Sequence, residues 1–186
     1  MIDSGFIIKH KIRDEILLLE KEHDIQLSKI QKILLTVEGP LSSVLDVLYG
    51  TVHLFMLDQH FENAKKHTAE MTDIDEGEEI LYREVIVHKR GHPLMHITSC
   101  IPTSRCDDKI LQDLLNEQLT TGTIIKNNDL ETMQKITSIS IEKTTPKLED
   151  LFKTNADLLT RDYILTHNNE VILWTREQYP LIYFTI

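Results

Sequence analysis

The chain has 186 residues, of which 41% are hydrophobic and 27% charged, and a formal net charge of −10. That balance is the one expected of a globular protein with a substantial core, and the length suits one domain, residues 1–186, with 1–35 as an N-terminal helical part. A charge so negative speaks against a general nucleic-acid binder, and any anionic partner would have to be held by a local cluster of Arg and Lys against the overall field.

No run of about 18 apolar residues is present, so no segment is expected to span a membrane. The first residues, MIDSGFIIKHKIRDEI, turn charged after a short apolar patch, unlike a secretory leader, and the expected compartment is the cytoplasm. There, Cys100 and Cys106 are expected as free thiols, since reducing compartments disfavour disulfides.

Ile12, Ile16 and Leu19 recur at helical spacing within 8–23, and a second helix is predicted over 28–35 with Ser28 as its cap. Gly39-Pro40 break the chain. Leu41, Val44, Leu45 and Leu48 then form the apolar stripe of a third helix that Gly50 ends. Residues 52–57, VHLFML, read as a strand, and 58–79 as a connection closing in an acidic loop.

Residues 81–102 read as a long hairpin turning at Lys89-Arg90-Gly91-His92. Period-two alternation puts Tyr82, Glu84, Ile86 and His88 on one face and Leu81, Arg83, Val85 and Val87 on the other. Arg83 is the odd member of an apolar face, and a charge there calls for a partner, which in an enzyme can be an anionic ligand. His88, His92 and His96 look like a metal ladder, but hairpin geometry would scatter them, and no metal is expected.

A helix is predicted over 108–119, ended at Thr120-Thr121-Gly122 with Gly122 as its left-handed residue, and a turn at Asn127-Asn128-Asp129. Residues 136–143 alternate as a half-buried strand, and 148–155 form a short helix or turn. Residues 160–180 make a second hairpin around His167-Asn168-Asn169. Arg161 reads as a charge at the edge of that hairpin, and Trp174 as core. The tail, LIYFTI, either adds a short strand or lies over the core. Helices followed by antiparallel hairpins define an α+β fold.

The stretches LLTVEGPLSSVLDVLYG, LYREVIV with its hairpin and CIP, LTTGTIIKNNDLETMQKI, and TRDYILTHNNEVILWTREQYP occur in this order. Together they resemble the chorismate pyruvate-lyase family, in its archaeal and bacterial 4-hydroxybenzoate synthase-like branch. The resemblance implies a central antiparallel sheet with helices packed over it and an enclosed internal ligand pocket. It also implies elimination of pyruvate from chorismate to leave 4-hydroxybenzoate, with no cofactor and only a small-molecule partner.

By the same resemblance, Arg83 binds the ring carboxylate of the substrate. Glu177 contacts the ring hydroxyl and is the catalytic carboxylate. Leu41 is an apolar pocket residue, and Thr121 and Gly122 face the ligand through their backbone. The final strand admits either Arg176 or Glu177 on the inner face; the Glu-x-Tyr-Pro spacing selects Glu177. Thr120-Thr121 stand where the family has Pro-Leu, a more polar wall that leaves room for a different chorismate-like acid. A related fold serves as the effector-binding half of bacterial transcription regulators, so a non-catalytic aromatic-acid binder is the alternative. This chain carries no basic helix-turn-helix.

Overall fold

Two long hairpins supply the middle of the sheet, because their strands alternate cleanly and their turns take the left-handed backbone that tight hairpins need. The first, β2 (Glu79–Lys89) and β3 (His92–Pro102), turns through Arg90 at φ 50° and Gly91 at φ 80°. The second, β5 (Leu158–His167) and β6 (Glu170–Pro180), turns through Asn168 and Asn169, also at positive φ. In this computed structural model, which describes residues 4–116 and 121–185, the two hairpins join through β3 and β6. Strands β1 (His53–Asn63) and β4 (Met133–Glu142) flank them, giving a six-stranded sheet in the order β1-β2-β3-β6-β5-β4 with every pairing antiparallel. The expected α+β architecture is the one found.

One face of the sheet is covered at its two ends by separate groups of helices. At one end lie α1 (Ser4–Glu22), α2 (Lys29–Thr36) and α3 (Leu41–Tyr49). Their Ile16, Leu19, Leu34, Leu35, Leu41 and Leu45 pack with Val87, Met95, Leu159 and Tyr179 of the strands. At the other end α5 (Asp108–Leu115) and α6 (Thr121–Asn127) place Leu114 and Ile124 against Leu81, Ile101, Leu165 and Leu173. The core on this face is thus split in two, and the gap between its halves is where the site lies. The opposite face carries α4 (Lys66–Thr72) and α7 (Pro146–Phe152).

Ser28 caps α2 as expected, in a full capping box with Gln31. Gln31 also donates to the carbonyls of Leu181 (2.7 Å) and Tyr183 (2.9 Å). The tail therefore lies over the core rather than adding a strand, with Phe184 buried beside Tyr179.

Three local expectations are corrected. The strand expected over 52–57 continues to Asn63, because at this sheet edge its outward side chains remain in water and can be polar. The connection after it contains α4, which buries only Ala69 and Thr72 and so carries almost no apolar stripe to read. Gly122 does not end a helix: it lies inside α6, away from the left-handed region. Helix α5 stops at Leu115, and Thr120 lies outside the described residues.

Candidate active site

Strand pairing alone lines up the polar residues of the inner face. Arg83 pairs with Ser99, Ser99 with Thr175, and Thr175 with Tyr163, forming one row across β2, β3, β6 and β5. Val85, Ile97, Glu177 and Arg161 form the next row. Two strand spacings and one two-residue step separate Arg83 from Glu177, so their Cα atoms stand about 12 Å apart by ladder geometry. Long side chains rising from such positions leave room for one small ring between their ends.

That room exists. A cavity of about 500 Å³ lies between the two halves of the core, lined among others by Arg83, Ser99, Tyr163, Thr175 and Glu177 from the sheet. Leu41 and Gly122 line it from the helices, and the connection Glu38-Gly39-Pro40 closes one side. This volume is within the range of small-molecule sites, about 300–1,000 Å³. Thr121 opens α6, but its side chain is not among those described.

Arg83 is 4% exposed, and its Nε donates to Gln59 Oε1 at 2.9 Å. Burial lowers its pKa to about 10, which still leaves it cationic at neutral pH. Glu177 is 2% exposed and faces the cavity, while Arg176 points to the other side of the sheet. There Arg176 makes two 2.8 Å bonds to Asp162 and lies 5.8 Å from the Trp174 ring.

Arg161 is not a hairpin-edge charge. It is 1% exposed, and its Nε donates to Glu177 Oε2 at 2.8 Å. Its Nη1 donates to the Val37 carbonyl, also at 2.8 Å, at the start of the α2–α3 connection. Gln134 accepts from the Gly39 amide at 2.8 Å, so two side chains from the sheet hold this wall of the cavity. A β-bulge between Leu165 and Thr166 makes the Arg161–Glu177 pair possible. Counted from the turn pair His167–Glu170 without the extra residue, Arg161 would have faced Arg176.

Burial raises the pKa of Glu177, against the opposing pull of Arg161 and of the Tyr163 hydroxyl. The folded chain therefore holds this proton more tightly than the unfolded chain does. The linked stability is fully present below the ordinary carboxylate value of 4.5 and is lost as pH rises through the raised value. Glu177→Gln removes the titration, so its urea midpoint should fall less between about pH 5 and 8 than that of the natural chain. Equal slopes in the two proteins would contradict the shift.

The three histidines are scattered. His96 is buried on the far face, with Nε2 2.6 Å from Glu84, which also pairs with Lys147. His88 lies beside His53, and His92 beside Tyr183. No cluster of three or more His, Cys, Asp or Glu side chains suited to a metal ion occurs among the described residues. Both cysteines are free, and among the described residues no helix is long and apolar enough to cross a membrane.

An antiparallel sheet holding a cavity between two helical covers, with buried Arg and Glu on its floor, defines an α+β small-molecule site. Solved structures share the fold. A GntR-family transcriptional regulator from Bacillus cereus aligns with TM-score 0.61 at 13% identity, over 73% of this chain and 95% of that one. The effector domain of PhnF from Mycobacterium smegmatis aligns with TM-score 0.64 at 13% identity, over 76% and 88%. In sequence, the Methanocaldococcus jannaschii protein MJ0807, provisionally named a lyase, is 29% identical over 150 residues, 77% of this chain and 73% of that one. Residues 35–185 match the family described as chorismate pyruvate-lyase Rv2949c-like, and the chain belongs to that family.

Proposed function

We propose that this protein is a chorismate lyase, releasing pyruvate from chorismate to form 4-hydroxybenzoate without a cofactor. The observation that carries the reading is the placement of Arg83 and Glu177 on one cavity of about 500 Å³. Chorismate is a dianion. The buried Arg83, Arg161 and Glu177 sum to one positive charge with Glu177 ionised and to two with it protonated, while the exposed Glu38 adds one formal negative charge at the cavity wall. The upward shift of Glu177 therefore suits the site to an anionic substrate that needs a proton managed.

In the reaction the ring carbon–oxygen bond to the enolpyruvyl group breaks and the neighbouring ring carbon loses its hydrogen as a proton. The ring becomes aromatic, and the departing enolate takes up one proton in exchange and tautomerises to pyruvate. Atoms balance with nothing added. Because aromatisation drives the step, the protein has two tasks: to hold the substrate in a reactive pose and to move one proton. Arg83 does the first by gripping the ring carboxylate with a planar fork. Glu177, at the other end of the ring, does the second. The N-terminus of α3, opened by Leu41 at the cavity and lacking a side-chain cap, favours the remaining negative charge.

Purified protein incubated with chorismate should yield pyruvate and 4-hydroxybenzoate in equal amounts. Binding of 4-hydroxybenzoate without turnover would instead make this a ligand-binding module, and neither binding nor turnover would remove the assignment. Arg83→Ala should weaken 4-hydroxybenzoate binding by at least about tenfold, the loss of one or more charge-assisted bonds. Arg83→Gln, which keeps most of the stem, should move calorimetric affinity in the same direction.

A further inference from the structure

We propose that the recess at the β2–β3 turn is a second ligand site, for a small aromatic anion. It measures about 400 Å³ and is lined by Tyr49, Lys89, Arg90, His92, Leu94, Tyr183 and Phe184, none of which lines the main cavity. Its walls are aromatic. Tyr49 and Phe184 have ring centroids 5.6 Å apart, Tyr183 and Phe184 meet edge to face at 6.0 Å, and the His92 ring lies 5.8 Å from Tyr183.

Its charge is of one sign. Among the described residues no carboxylate lines the recess, and neither Lys89 nor Arg90 takes part in an ion pair. Hairpin tips often carry Lys and Arg for solubility. Here, however, the tip lines one recess with the rings of Tyr49, Tyr183 and Phe184, on a chain whose overall charge is −10. A Cβ at Gly50 would come 3.2 Å from Lys89 Nζ, so the glycine, at φ 74°, leaves the ammonium its seat against α3. The far wall is held as firmly. Phe184 adopts φ 59°, and its carbonyl accepts from Ser28 Oγ, while Gln31 holds the carbonyls of Leu181 and Tyr183.

A flat ring fits the aromatic walls, and a carboxylate or phosphate on that ring reaches Lys89 and Arg90. The shared chemistry is a ring bearing an anion. An aryl carboxylate and a nucleoside monophosphate are its two sources.

An NMR titration of the full chain separates them, using 4-hydroxybenzoate, adenosine 5′-monophosphate and inorganic phosphate. The amides of Gly50 and Gly91 report the recess, and those of Gly39 and Gly122 report the main cavity, so the result stands apart from the lyase reading. At least one aromatic anion should shift Gly50 and Gly91 saturably, binding at least about tenfold tighter than inorganic phosphate. The tighter of the two identifies the source. The double variant Lys89→Ala/Arg90→Ala, at an exposed turn, should weaken that binding about tenfold or more with the rest of its spectrum unchanged. Tyr183→Leu should abolish the preference over phosphate. The proposal is overturned if neither aromatic anion moves those amides at millimolar concentration, if phosphate binds equally well, or if the double variant binds as before.

Discussion

Glu177→Gln is expected to lower chorismate turnover by about 10²–10⁴-fold, the usual worth of a positioned acid–base group, while 4-hydroxybenzoate affinity changes by no more than about threefold. The amide has the volume of the carboxylate, and its oxygen can still accept from Arg161 Nε, so the cavity keeps its shape. What is lost is a proton that can come and go beside the reacting ring. Parallel measurement of kcat and of product Kd separates the two effects. Turnover within about threefold of the natural chain would remove Glu177 from the chemistry.

Arg161→Met should have the largest effect on stability, about 3–5 kcal/mol, because it leaves the buried Glu177 without its cation. For a domain of this size each kcal/mol lowers Tm by about 2–4 °C. The Val37 carbonyl loses its donor as well, which loosens the α2–α3 connection at the cavity wall. Replacing both partners, Arg161→Met with Glu177→Leu, should recover most of the loss, since a matched apolar pair carries no buried charge. Urea unfolding of the three variants measures this cycle. A cost below about 1 kcal/mol for Arg161→Met would mean that the pair is not the anchor of the site.

Much of this architecture is written in the chain as periodicity. The hairpin around Arg90-Gly91 announces itself because Leu81, Arg83, Val85 and Val87 alternate against Tyr82, Glu84, Ile86 and His88 on either side of turn residues. One face carries a charge among apolar residues, and that charge lines the cavity. The second hairpin is equally plain, but its register is not. Whether Arg161 meets Arg176 or Glu177 depends on one extra residue near Ile172, and a bulge has no reliable signature in a single sequence. Arg161 was therefore legible as a strand residue and illegible as the partner of Glu177.

Ser99, Thr175, Tyr163 and Gln134 escaped for a related reason. Each is an ordinary strand residue until the pairing of four strands sets it on the cavity wall. Helix α4 escaped because a short surface helix with two buried residues has little pattern to show. Gly122 misled because glycine after two threonines is the usual end of a helix, whereas here the missing side chain lies at the cavity wall.

The most direct measurement is a crystal structure with 4-hydroxybenzoate. The ligand should lie between the two helical covers, with its carboxylate on the Arg83 guanidinium and its hydroxyl within hydrogen-bond reach of Glu177. A ring bound elsewhere, or one that reverses so that its carboxylate meets Arg161 and its hydroxyl meets Arg83, would contradict the roles assigned to the two ends of the cavity.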